Sequence, residues 1–324
     1  MEGLIEGVLA GGWPFVVGWV LPAGVFVSLF SLLVFPSITF LPVASDISKL
    51  GEGPKIAILI FAALALGVLF NAMSTPMYRV LEGYLGLPKW LFDRARDRKI
   101  QRRKELVERV QEATGLERGK LLERLQRFPV SDDRVVATRL GNAMRGLETI
   151  GSSMFKLDTQ ALWTELRSAV SPALIDDLDN ARANVDVFIS LFYLSVCFAA
   201  ISLAVVLSTL HRDGIPRLSL SITCGASLVL LPFWYWLAVI STRGLRSAVQ
   251  AMVYVGRMRL ASQLGLKIPD TIEKERDMWL LVSQLALYTY DMDLVESVAV
   301  QLDSYRIQSR PYTRVFRLRP MAGK

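Results

Sequence analysis

Few residues in this chain have the type and spacing to do chemistry. Gly115-Leu116-Glu117-Arg118-Gly119-Lys120-Leu121 comes nearest to a phosphate-cradling loop. It is one residue short of G-x-x-x-x-G-K-[ST], and Leu121 stands where a hydroxyl would hold magnesium. It also lies between charged helical stretches and follows no strand, so it reads as a break between helices. Asp176, Asp177 and Asp179 form an acidic cluster. Only Asp176 and Asp179 share a helix face, and all three fall in early helical turns, where the macrodipole favours acids. A calcium site needs more converging oxygens, so the cluster reads as a solvated helix start.

The single histidine, His211, excludes the clusters that zinc and non-haem iron use. Cys197 and Cys224 both sit in apolar windows, at depths that disfavour a bridge. No H-E-x-x-H, no G-x-S-x-G and no carboxylate pair within an apolar window is present. The reading is a non-enzymatic protein with no catalytic residues, no metal and no cofactor.

The elements that carry these residues are unusual in composition. The 324 residues are 52% apolar and carry 37 Lys+Arg against 30 Asp+Glu, a net charge of +7. Four windows hold no Asp, Glu, Lys, Arg or His: Phe15 to Phe35, Ile56 to Met73, Val187 to Leu210 and Leu218 to Ile240. Each is long enough to approach or span a bilayer core of about 30 Å. The expected fold is all-α: a polytopic membrane protein with four transmembrane helices, continuous with a cytoplasmic helical domain. The segments are a transmembrane hairpin (1–75), a helical block (76–185), a second hairpin (186–241) and a second block with a basic tail (242–324).

Sidedness follows from charge. The two blocks hold 20 and 13 Lys+Arg, whereas residues 36–54 hold one Lys and two acids. The positive-inside rule puts both blocks and both termini in the cytoplasm, in a multi-pass protein of a bacterial inner membrane. The first twelve residues contain Glu2 and Glu6 and no Lys or Arg, so the first span is expected to act as its own insertion signal.

Within the first block, Tyr78, Tyr84 and Trp90 suit the headgroup layer. A charged helix follows from about Leu91 to Ala113, with Ile100, Val107 and Val110 as its apolar stripe. Leu121, Leu122, Leu125 and Phe128 mark the next helical stretch. Asp132 or Ser131 is expected to cap a helix holding Val136, Leu140, Met144 and Leu147, and Asp158 or Thr159 one holding Leu162, Trp163 and Leu166. Ser171-Pro172 starts a helix that runs without a breaker to about residue 210, some 58 Å at 1.5 Å per residue. The fourth span is expected to continue to about Leu264, after which Asp270 and Asp293 look like caps of two further helices. Trp279 to Tyr290 is apolar but short, and reads as the buried face of a soluble helix.

Thr138-Arg139-Leu140-Gly141-Asn142, with the Trp163 helix and the run into the third span, resembles a segment of uncharacterised bacterial four-span membrane proteins. The likeness covers roughly residues 134–210 and implies no activity. In this stretch Gly141 suits close helix approach, and Asn142 suits capping or bonding of nearby backbone. The order of two spans, block, two spans, tail also resembles bestrophin-type anion channels, by topology alone.

Small polar residues in the spans are the candidate pore or packing positions: Ser28, Asn71, Ser202 and Thr223. The pairs Ala63/Gly67 and Ala200/Ala204 suit close packing, within the chain or between copies. The last 21 residues hold six basic residues and no acid. Trp90, Arg314, Arg317 and Arg319 are the candidate contacts to anionic lipid headgroups. The expected function is a homo-oligomeric ion channel or pore with a cytoplasmic regulatory domain. The alternative is a membrane-tethered scaffold or sensor for a cytoplasmic protein partner. No nucleic-acid motif is present.

Overall fold

The computed structural model describes residues 12–86, 88–210, 217–288 and 292–307. Among them every regular element is helical, and the one sheet-like contact is an isolated antiparallel pair, Leu266 with Arg306. Four helices are long and apolar enough to cross a membrane: Gly12–Leu33, Glu52–Ala72, Pro172–Ser208 and Arg217–Gln263. The third and fourth run on beyond their apolar windows as single helices of 37 and 47 residues; the third has no breaker after Pro172, whereas the fourth continues through Pro232. Glu2, Glu6 and His211 lie outside the described residues.

Packing divides the chain into two compact units. One holds Met1–Leu147 with Pro172–Val249, the other Glu148–Ser171 with Gln250–Lys324. These units follow contact, whereas the segments read from the sequence follow polarity, so their boundaries differ.

In the first unit, a local irregularity organises the packing of the first and third apolar helices. Pro22 has no N–H to give the carbonyl of Gly18, four residues back. The helix answers with a π-turn over Val16–Val20, closed by the Leu21 amide on the Val16 carbonyl. The released Gly18 carbonyl accepts a hydrogen bond from Ser190 Oγ at 2.8 Å. Glycine suits this close approach, since a Cβ would lie 3.1 Å from Asp186 Cβ and the neighbour would have to give way. At Gly67 of the second apolar helix a Cβ would lie 3.0 Å from Val20 Cα, so this half of the Ala63/Gly67 pair packs within the chain. A further cluster joins Val34, Phe198, Val205 and Leu220, with Phe26 edge-on to Phe198 at 5.4 Å.

The charged helix spans Lys89–Glu112. Its buried apolar residues are Leu106 and Val110, which pack on Leu121 of the next helix, Gly115–Leu125. The expected stripe through Ile100 is therefore shifted. Arg96 and Arg103 hold that face to the following loop: Arg96 Nε donates to the Val135 carbonyl at 2.9 Å, and Arg103 Nε to that of Pro129 at 3.0 Å.

Val136 does not belong to the helix expected around it, which starts at Arg139. The Asn142 side chain explains this. Its Oδ1 accepts from the Val136 amide at 2.9 Å, while its Nδ2 donates to the carbonyls of Val136 and Thr138 at 2.8 and 2.6 Å. The side chain thus takes the backbone groups that a helix would have used. Gly141 meets the chain closely here: a Cβ would lie 2.5 Å from the Glu82 carbonyl.

The second unit is built around Trp279, which is fully buried with Met278 on the helix Ile272–Leu287. Arg257 Nε donates to Glu275 Oε1 at 2.8 Å and its guanidinium lies 4.0 Å over the Phe155 ring. Asp158 Oδ1 accepts from the Gln160 and Ala161 amides at 2.9 and 3.0 Å, making a turn before the helix Trp163–Ala169. Thr271, not Asp270, occupies the cap position of the helix Ile272–Leu287, with no side-chain bond. Asp293 lies inside the first turn of the helix Met292–Leu302 and does not precede it.

Candidate functional site

The Lys89–Glu112 helix turns a second face away from the loop that Arg96 and Arg103 hold. Lys99, Arg102 and Arg109 recur along it at intervals of three and seven residues, which keeps them in one row. That row forms one wall of a chamber of about 400 Å³. Arg124, at the end of the helix Gly115–Leu125, and Arg127 just beyond it form another. Arg139, the first residue of the helix Arg139–Glu148, closes a third side. Glu105 is the lone carboxylate in the lining, against six cations. Trp236, Val239 and Ile240 complete the lining with apolar surface. They stand at the end of the uncharged window Leu218 to Ile240.

The chamber's cations are poorly neutralised. Among the described residues Lys99, Arg102, Arg124 and Arg139 form no ion pair. Arg109 reaches Glu117 only at 4.0 Å and Arg127 reaches Glu123 at 3.5 Å, both on exposed surface. Burial, together with the nearby Arg139 and Arg102 charges, pulls the Lys99 ammonium below its ordinary value.

The backbone around the chamber is, by contrast, satisfied. The Tyr235 hydroxyl accepts from the amides of Arg139 and Leu140 at 3.1 and 3.2 Å, and Thr138 Oγ1 accepts from Gly141 at 3.0 Å. The start of the Arg139–Glu148 helix is thereby capped by protein. Asn142 lines the chamber too, but its amide is committed to Val136 and Thr138. What remains open is a set of side-chain cations facing a common space.

A second constellation lies where the third apolar helix begins its uncharged window. Asp186 is buried, and Tyr78 Oη donates to its Oδ1 at 2.5 Å. Burial, and then the Asp186 carboxylate, hold the Tyr78 hydroxyl well above its ordinary value, so it stays a donor. One turn and two turns further on, Ser190 binds Gly18 and the Tyr193 hydroxyl donates to the Met77 carbonyl at 2.9 Å. The Tyr78 hydroxyl is therefore committed to Asp186, within the protein. This constellation is internally paired, and it fastens the helix Ser74–Leu81 to the third apolar helix.

The positions singled out in the sequence fall in separate places. Ser28 and Asn71 are exposed on the first and second apolar helices. Ser202 is fully buried, with its hydroxyl unpaired among the described residues. Thr223 Oγ1 turns back to the Ser219 carbonyl of its own helix at 2.8 Å. No hydrogen bond joins any two of these four among the described residues. Trp90 is 67% exposed in the first turn of its helix. Arg314, Arg317 and Arg319 lie outside the described residues. Asp176 and Asp177 are exposed, and no metal-competent cluster occurs among the described residues.

The charged helix expected from about Leu91 to Ala113 carries no sequence motif that marks the chamber. The available signal was the row Lys99, Arg102, Arg109, in which basic residues outnumber acids on one face. Among the described residues every regular element is thus helical, with four helices of membrane-crossing length and a cation-lined chamber. Compared with protein-family models, curated proteins and solved structures, it matches none.

Proposed function

We propose that the chain is a non-enzymatic, multi-pass membrane protein whose copies assemble into an ion channel or pore, with its charged helices on the cytoplasmic side. The observation that carries this reading is the surface left bare on the apolar helices. Only 11% of the apolar window of Glu52–Ala72 and 17% of that of Arg217–Gln263 is buried in the single chain. Lipid can cover such a surface, but two details favour a second copy. Ala200 and Ala204 are both exposed on the third apolar helix, where small side chains let another helix approach closely. Ser28 and Asn71 put polar groups on exposed flanks, and these gain from a protein partner or from water in a pore. The test is light scattering of the purified protein in detergent, paired with ion flux in liposomes. The expected result is an oligomer that conducts, and the pair A200L with A204L reduces both assembly and flux. A monomer with silent vesicles overturns the reading.

The second reading is a membrane-tethered sensor, and the cationic chamber favours it. A protein that leaves vesicles impermeable yet binds an anion in the chamber is a sensor and not a pore.

A further inference from the structure

We propose that the chamber is a binding site for a phosphate-bearing anion, and that its apolar wall admits the non-polar part of an amphiphilic one. The inference goes beyond the reading above and holds whether or not the apolar helices conduct.

Charge is the first argument. Exposed charged helices ordinarily interleave signs, so that each cation has an acid within reach. Here three separate helices and a following turn bring six cations to one space with one carboxylate among them. Lys99, Arg102, Arg124 and Arg139 have no ion-pair partner among the described residues. Such an arrangement leaves a surplus of positive charge that a polyvalent anion can balance. Chemistry is the second argument. Five of the six are arginines, whose planar forks match phosphate oxygens two at a time and outdo lysine in directed binding. Shape is the third: about 400 Å³ falls in the range of small-ligand sites. The helix start at Arg139 adds nothing to the argument, since Tyr235 already occupies its amides. The side chains alone make the site.

The apolar wall narrows the ligand. Trp236, Val239 and Ile240 end an uncharged helical window, so the chamber opens where apolar surface gives way to charge. A phospholipid whose phosphate reaches the arginines and whose acyl chains follow that helix satisfies both surfaces. A soluble phosphate compound satisfies only the first. The shared chemistry is the phosphate.

Two probes separate the sources. The full-length protein is placed in nanodiscs of phosphatidylcholine with or without phosphatidylglycerol. Native mass spectrometry then reads the lipid retained, and calorimetry reads binding of inorganic pyrophosphate in the phosphatidylcholine discs. R102Q/R139Q is the test variant, and R118Q, an exposed charge outside the chamber, is the control. Selective retention of phosphatidylglycerol, lost about tenfold or more in the double variant and not in R118Q, supports the site with a lipid occupant. Pyrophosphate binding with the same pattern supports it with a soluble occupant. No binding of either probe, an unaffected double variant, or an equal loss in R118Q overturns it. A thermal melt checks the fold of the double variant, and K99Q provides the same comparison should that variant not fold.

Discussion

Tyr78 gives its hydroxyl proton to a buried carboxylate at the edge of an uncharged helical stretch. Tyr78→Phe removes the donor and leaves Asp186 under-satisfied, which costs about 1–3 kcal/mol. The loss is read as a lowered Tm in detergent, and combining it with Asp186→Asn in a double-mutant cycle isolates the pair's own share. An unchanged Tm refutes the role given to this bond. Lys99 behaves in the opposite sense. The fold disfavours its charged form through burial and its arginine neighbours. Lys99→Met is therefore expected to raise the Tm of the anion-free protein while weakening pyrophosphate or phosphatidylglycerol binding. A variant that loses both stability and binding speaks for a structural lysine instead. Neither role was legible in the sequence. Asp186 borders an uncharged window and reads as its solvated boundary, and its partner lies 108 residues away. Lys99 reads as one charge among many on a solvated rod, since its crowding depends on Arg139, from another helix.

Helices are where sequence and structure agree most. The run from Pro172 to Ser208 and the continuation of the fourth apolar helix to Gln263 follow from periodicity and the absence of breakers, both local properties. Disagreement falls on the apolar stripe of the charged helix, which runs through Leu106 and not Ile100, and on helix starts, where one side chain can redirect the backbone. Val136 falls outside its helix because Asn142 claims its amide and carbonyl. The Asp270 pattern has capping spacing, yet the helix begins two residues later, at Ile272. Gly141 marks the position where such local geometry meets another segment. Gly141→Ala brings a methyl to 2.5 Å from the Glu82 carbonyl and 2.6 Å from Val136 Cγ2. Both neighbours belong to ordered backbone or β-branched side chain, so the expected cost is about 1–3 kcal/mol, checked by thermal melting. Gly119→Ala has open space around it and serves as the control.

For the molecule as a whole, composition alone announces four membrane-length helices, because an uncharged window of that length has few other uses. The two compact units are not announced by composition. Residues 148–171 pack with the chain after residue 250, while the charged helices before them pack with the apolar ones. No run of charge or turn residues records that choice, since it rests on contacts between distant segments. Ser190 and Gly18 show what such contacts decide. Proline at position 22 strips one carbonyl of its natural mate, and a hydroxyl 172 residues along the chain replaces it. Sliding the two rods past each other by a single turn would offer Leu194 in its stead, and a hydrocarbon has no proton to give. In surroundings this dry, a stranded oxygen costs about 1–3 kcal/mol. The imino acid therefore acts as a vernier, setting the alignment of two greasy cylinders that oily contact alone would leave free to slip.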